Sequence, residues 1–155
     1  MLASSGHRLG AEMARLLPAA IRHIGDRYGG DASGIWTDGS SGAAVARRFL
    51  AFDGVGPKIA NMAVNILIRD FGIRLTAPMP DIAVDTHVLR VFERLGLLQL
   101  RARELNPEWP GELDWPAWHL GNRWCHTGRP PECGVCCMRS VCPKHGVLPD
   151  STAGS

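Results

Sequence analysis

Two glycines separated by one residue, in the run Phe52-Asp53-Gly54-Val55-Gly56-Pro57-Lys58, break a stretch that is helical in pattern on both sides. Such a pair permits positive φ and a close backbone approach, so the chain is expected to turn tightly there. Upstream, residues 43–52 read as a helix. Downstream, Pro57 suits a first helical position, and residues 58–71 place Ile59, Met62, Ala63, Ile66 and Leu67 on one helical face. The predicted unit is helix, glycine hairpin, helix. A turn of this kind leaves unpaired backbone N–H groups at the positive end of the second helix, a geometry that binds a phosphate oxygen without reading bases. An ordinary interhelical turn is the plainer alternative.

The remaining pattern is also helical, and the fold class expected is all-α. Residues 12–28 put Met13, Leu16, Leu17, Ala20, Ile21 and Ile24 at helical spacing, with Pro18 at a start or kink. Residues 29–42 form a Gly/Ser/Asp-rich loop anchored by Ile35 and Trp36, and residues 72–80, with two prolines, form another. Asp85 suits an N-cap, Val88, Val91, Phe92 and Leu95 make a stripe, and Gly96 stops the helix. Residues 106–118 lead to a short helix near 118–124, and residues 146–155 read as a frayed tail.

The net charge of +2 is mild, so composition permits a nucleic-acid partner without demanding one. Of 17 basic residues only Lys58 and Lys144 are lysines, a hint that position 58 calls for an amine and not merely a charge. No apolar run approaches the ~18 residues that span a bilayer. Residues 1–10 lack the basic flank and apolar core of an export signal, which makes the cytoplasm the expected compartment.

All five cysteines fall at positions 125, 133, 136, 137 and 142. Clustered thiols in a reducing compartment point to metal rather than to disulfides. Cys125, Cys133, Cys136 and Cys142 give C-x7-C-x2-C-x5-C. One C-x2-C pair flanked by single cysteines suits an iron-sulfur cubane wrapped by one loop, whereas structural zinc usually takes two such pairs; zinc is the alternative. Cys137 is expected to be a bystander.

The hairpin run through Ala60, followed by Ala83-Val84-Asp85-Thr86-His87-Val88 and Arg90-Val91, resembles the endonuclease III branch of the helix-hairpin-helix DNA glycosylases. The resemblance covers residues 43–143. It implies that Lys58 is the Schiff-base nucleophile of a glycosylase with abasic-site lyase activity and that Asp85 stabilises the sugar cation. The first turn of a helix and an expected partial burial would both favour the free amine of Lys58. His87 is expected to be packed or capping, not catalytic.

The resemblance further implies a [4Fe-4S] cluster on the four cysteines, with one residue more between the first two than the family has. Gly54, Val55, Gly56 and Lys58 would grip DNA, and the cluster would pin Arg129, Arg139 and Lys144 into a basic loop facing phosphate. The implied partner is double-stranded DNA carrying a damaged base or an abasic site.

Four segments are expected: residues 1–42 as a remnant of a helical body, 43–118 as the hairpin lobe, 119–145 as the cluster loop and 146–155 as the tail. With about forty residues ahead of position 43, the family's N-terminal helices are expected to be missing, and a shortened enzyme is expected to be monomeric unless a partner chain completes the body. A non-catalytic, sequence-independent DNA-binding iron-sulfur module is the alternative.

Overall fold

The computed structural model describes residues 10–97 and 101–147, and all the regular structure in them is helical apart from one isolated bridge, Ser41 to Thr76. The chain forms two compact units, Met1–Pro80 and Asp81–Ser155. The division falls inside the lobe expected over residues 43–118.

The first unit contains α1 (Gly10–Tyr28), a short 3-10 turn (Ala32–Ile35), α2 (Gly42–Phe49) and α3 (Pro57–Arg69). Helix α1 runs unbroken through Pro18. Only part of its expected stripe turns inward: Leu16 is buried, whereas Leu17 and Ile21 are 45% and 69% exposed. The core is built by Ile35, Val45, Ala46 and Val64, with Tyr28, Trp36, Phe49, Phe52, Leu67, Ile68 and Leu75 packed around them. Each fully buried valine here contributes on the order of 1.5–3 kcal/mol relative to an exposed one.

Helix α3 buries a different face from the one its spacing suggested. Ala60, Val64 and Asn65 point inward, and Ile59 and Met62 are exposed. Nearly every position from 59 to 68 is apolar, so a 3.6-residue period is present on more than one face and packing against α2 chooses between them.

The 72–80 loop folds back onto the start of α2. Gly42 N–H donates to the Thr76 carbonyl at 3.0 Å, Ala43 N–H to the Pro78 carbonyl at 2.9 Å, and Ala44 N–H to Ser41 Oγ at 3.2 Å. Donors that a helix start leaves unpaired are thereby satisfied by the chain itself. The contact is tight, since a Cβ on Gly42 would stand 2.5 Å from Pro80 Cδ.

In the second unit, α4 (Thr86–Arg94) is followed by α5 (Arg101–Leu105), a 3-10 turn (Pro110–Leu113) and α6 (Asp114–Arg123). Val88, Val91 and Phe92 of α4 meet Ile82, Ala102 and Ala117 in one core. The stripe and cap expected for α4 are those observed. Gly96 takes φ +72, and Leu97 N–H reaches the Phe92 carbonyl at 2.7 Å, closing the helix with a Schellman bond. The sequence did not anticipate α5, and α6 begins four residues earlier than expected.

Candidate nucleic-acid interface and cysteine pocket

The turn between α2 and α3 assigns its two glycines different tasks. Gly54 has φ +78, which calls for glycine, and a Cβ there would lie 2.8 Å from Leu16 Cδ1, so the leucine side chain would have to shift as well. Gly56 has φ −93 in extended conformation and nothing within 4 Å of its Cβ position. The expectation that both glycines serve the turn is corrected: only Gly54 does. Val55 N–H closes the turn on the Phe52 carbonyl at 3.1 Å.

Gly56 is the N-cap of α3, with Pro57 next, and no side chain caps this helix start. The first-turn amides of Lys58 and Ile59 therefore have no capping side chain at the positive end of the helix dipole. Lys58 is exposed, which corrects the partial burial expected for it. Its charge neighbourhood is set by the open surface and the helix start.

In the second unit Asp85 is half-buried and caps α4. Its Oδ1 accepts from His87 N–H and from Val88 N–H, both at 2.8 Å, so capping does not occupy Oδ2. His87 is packed: its Nδ1 meets Arg90 Nη2 at 2.9 Å, and its ring meets Trp118 edge-on at 6.3 Å.

Cys125, Cys133, Cys136 and Cys142 line one pocket together with Arg94, Trp124, Arg139, Lys144 and Val147. Cys137 is exposed and is not among the lining residues. Burial pushes the Cys136 thiol up from its ordinary range. Among the described residues no three His, Cys, Asp or Glu side chains converge closely enough to hold one metal ion. Four cysteines share this pocket with Arg94, Arg139 and Lys144 at its wall, a donor set and a cationic surround that fit a thiolate-bound metal group.

Two arginines that the sequence reading passed over fix this pocket to α4. Arg90 donates from Nε to the Cys125 carbonyl at 2.6 Å and from Nη2 to the Gly121 carbonyl at 3.0 Å. Arg94, one turn on, donates from Nη1 to Cys125 Sγ at 3.2 Å and to the His126 carbonyl at 2.9 Å. The two arginines at i and i+4 on one helix were the available signal, but their partners lie about thirty residues away. Of the basic residues expected to face phosphate, Arg139 and Lys144 are exposed at the pocket wall. Arg129 is exposed as well, and its Nη2 lies 2.6 Å from His126 Nε2 and 3.6 Å from Glu132 Oε1.

No protein-family model matches the chain. Among curated proteins it is similar to endonuclease III of Treponema pallidum (strain Nichols), 39% identical over 110 residues, which is 66% of this chain and 48% of that protein. Endonuclease III of Bacillus subtilis (strain 168) is 36% identical over 100 residues, 57% of this chain and 41% of the relative. Endonuclease III-like protein 1 of Gallus gallus is 27% identical over 128 residues, 76% of this chain and 39% of the relative. The chain thus spans less than half the length of each of these relatives. Identity of 32–39% to endonuclease III proteins over about 60% of its length supports placing the chain in the endonuclease III branch of the helix-hairpin-helix glycosylase superfamily.

Proposed function

We propose that this chain is a DNA-repair glycosylase with abasic-site lyase activity, acting on duplex DNA that carries a damaged base or an abasic site. The observation that carries the reading is an exposed lysine at the second residue of α3, directly after a glycine turn whose helix start has no capping side chain. The turn would offer a backbone phosphate the amides of Gly54 and Gly56 together with the uncapped start of α3. Lys58 would then reach a sugar carbon from the same element.

In the proposed reaction Nζ of Lys58, as the free amine, attacks C1′ of the damaged nucleotide. The C1′–N bond breaks, and its electron pair leaves with the base, which takes up a proton. Positive charge develops on the sugar as that bond lengthens, and the Asp85 carboxylate is the group assigned to offset it. Nζ loses a proton to leave an aminal, and the C1′–O4′ bond then breaks, its electron pair leaving with O4′, which takes up a proton, so that the opened sugar is held as a Schiff base between Lys58 and C1′. Loss of a proton from C2′ then expels the 3′ phosphate and nicks the strand.

Cys125, Cys133, Cys136 and Cys142 are the residues assigned to hold a [4Fe-4S] cluster. When bound, it would cross-link a loop of low apolar content at four points. Arg139 and Lys144, exposed at the pocket wall, would then offer their charge to phosphate. Arg129 would act mainly within the loop, through His126.

Borohydride added during turnover on an abasic or oxidised-pyrimidine duplex is expected to trap the protein covalently. Trapping that persists in Lys58→Gln would overturn the assignment. Visible iron-thiolate absorbance of anaerobically purified protein tests the cluster. It is expected to vanish in Cys136→Ser and to persist in Cys137→Ser, and a colourless protein with one bound zinc would refute it. A second reading, a non-catalytic DNA-binding iron-sulfur module, needs only the uncapped start of α3 and the exposed Arg139 and Lys144. Salt-sensitive duplex binding without trapping would select it.

A further inference from the structure

Helix α6 presents an aromatic face to solvent. Trp115, Trp118, His119, Asn122 and Arg123 recur at helical spacing, while Ala117 and Gly121 are buried on the other side. Trp115 and Trp118 are 46% and 41% exposed, although most large aromatic rings are withdrawn from water. The rings are ordered rather than scattered. Trp115 stacks on His119 with centroids 5.2 Å apart and planes 16° apart, and His119 meets Trp124 edge-on at 5.8 Å. Arg123 Cζ lies over the Trp124 ring at 5.3 Å.

We propose that this face of α6 is a stacking platform for unpaired, single-stranded nucleic acid. Three observations select that occupant. The face interleaves π surfaces with an imidazole, an amide and a guanidinium, the combination that holds successive bases without sequence preference. It carries no carboxylate, because the acid of α6, Asp114, is buried. It also runs directly into the cysteine loop, whose wall adds Arg139 and Lys144, so the charge is complementary to a polyanion. A purely apolar protein contact would have no use for Arg123 over a ring that also faces water.

The spacing specifies the mode of contact. A base inserted between two rings needs about 7 Å, twice the ~3.4 Å rise per nucleotide. At 5.2 Å, Trp115 and His119 admit nothing between them and act as one preformed stack. Bases would lie against the exposed parts of that stack and of Trp118, with the backbone toward Arg123. The platform is separate from the Lys58 chemistry and does not require it.

The test is titration of the full chain with a short oligothymidylate, followed by tryptophan quenching and oligonucleotide anisotropy. The paired variant Trp115→Leu/Trp118→Leu keeps apolar contact and removes the π faces. It is expected to bind at least about tenfold more weakly, with Trp115→Phe/Trp118→Phe staying near wild type. Arg123→Gln is expected to weaken binding and to lower the salt slope by about one phosphate contact, and it decides the matter if the leucine pair does not fold. The oligothymidylate carries neither a damaged base nor an abasic site, so an absence of borohydride trapping, which would sink the glycosylase assignment, leaves this result intact. Unchanged oligomer affinity in the leucine pair or in Arg123→Gln would overturn the platform, as would a self-associated species held together equally by tryptophan and leucine.

Discussion

Gly121 of α6 lies against His87 of α4 so closely that a Cβ on the glycine would stand 2.7 Å from His87 Cβ and 3.1 Å from its Cα. One obstacle is backbone, so the clash cannot be relieved by a rotamer change. Gly121→Ala is expected to destabilise the second unit by about 1–3 kcal/mol. A lowered thermal midpoint in circular dichroism, with loss of tightly bound iron, would report it.

Asp85 is given two tasks that substitutions can separate. Asn at an N-cap accepts the same backbone hydrogen bonds, so Asp85→Asn should change stability by only a few tenths of a kcal/mol, while Asp85→Ala should cost about 1 kcal/mol. If the carboxylate also offsets charge on the sugar, Asp85→Asn should still lose about two orders of magnitude in excision. Full excision by the asparagine variant would leave the residue with capping alone.

The two hairpin glycines should respond in opposite ways to alanine. Gly54→Ala meets both a positive φ and the Leu16 side chain and should cost about 1–3 kcal/mol of stability. Gly56→Ala meets neither and should melt within about 0.5 kcal/mol of wild type. If a phosphate approaches the turn, Gly56→Ala should nevertheless weaken duplex binding, measured by anisotropy at low salt.

Asp38 gives the first unit a sensitivity to acid. Arg48 hydrogen-bonds its carboxylate, with a contribution from Ser40, and holds its carboxyl well below the ordinary value of 3.8. Since the folded value is depressed, the stabilisation is present above that ordinary value and is lost as pH falls through it toward the lower folded value. Asp38→Asn should therefore flatten the stability profile on the acid side only, as read by urea melts between neutral pH and strong acid. The same guanidinium donates to the Ile35 carbonyl at 2.8 Å, so the loop ahead of α2 should loosen first.

How far the chain could be read depended on whether each segment offered one choice or several. Helix α4 has one apolar stripe, one good N-cap and one glycine stop, and all three are observed. Helix α3 is apolar nearly all round, so Ile59 and Met62 were placed inward when Val64 and Asn65 are the buried residues. Gly54 and Gly56 are identical letters, and only backbone angle and the position of Leu16 tell them apart. Arg90 and Arg94 gave no local signal of their role, because their partners, the carbonyls and thiol of the cysteine loop, are distant in sequence. The four thiols that share a pocket were legible from spacing, but the arginine fastening that holds the first of them was not.

The nine residues of α4 carry Asp85 at one end and, at the other, Arg94 bound to Cys125 Sγ. A helix that long measures roughly 13 Å from end to end. If the four thiols hold the proposed cluster and Asp85 has its proposed role, harm to those ligands would be delivered along a stiff strut to the carboxylate and would register as misaimed chemistry before the protein came apart.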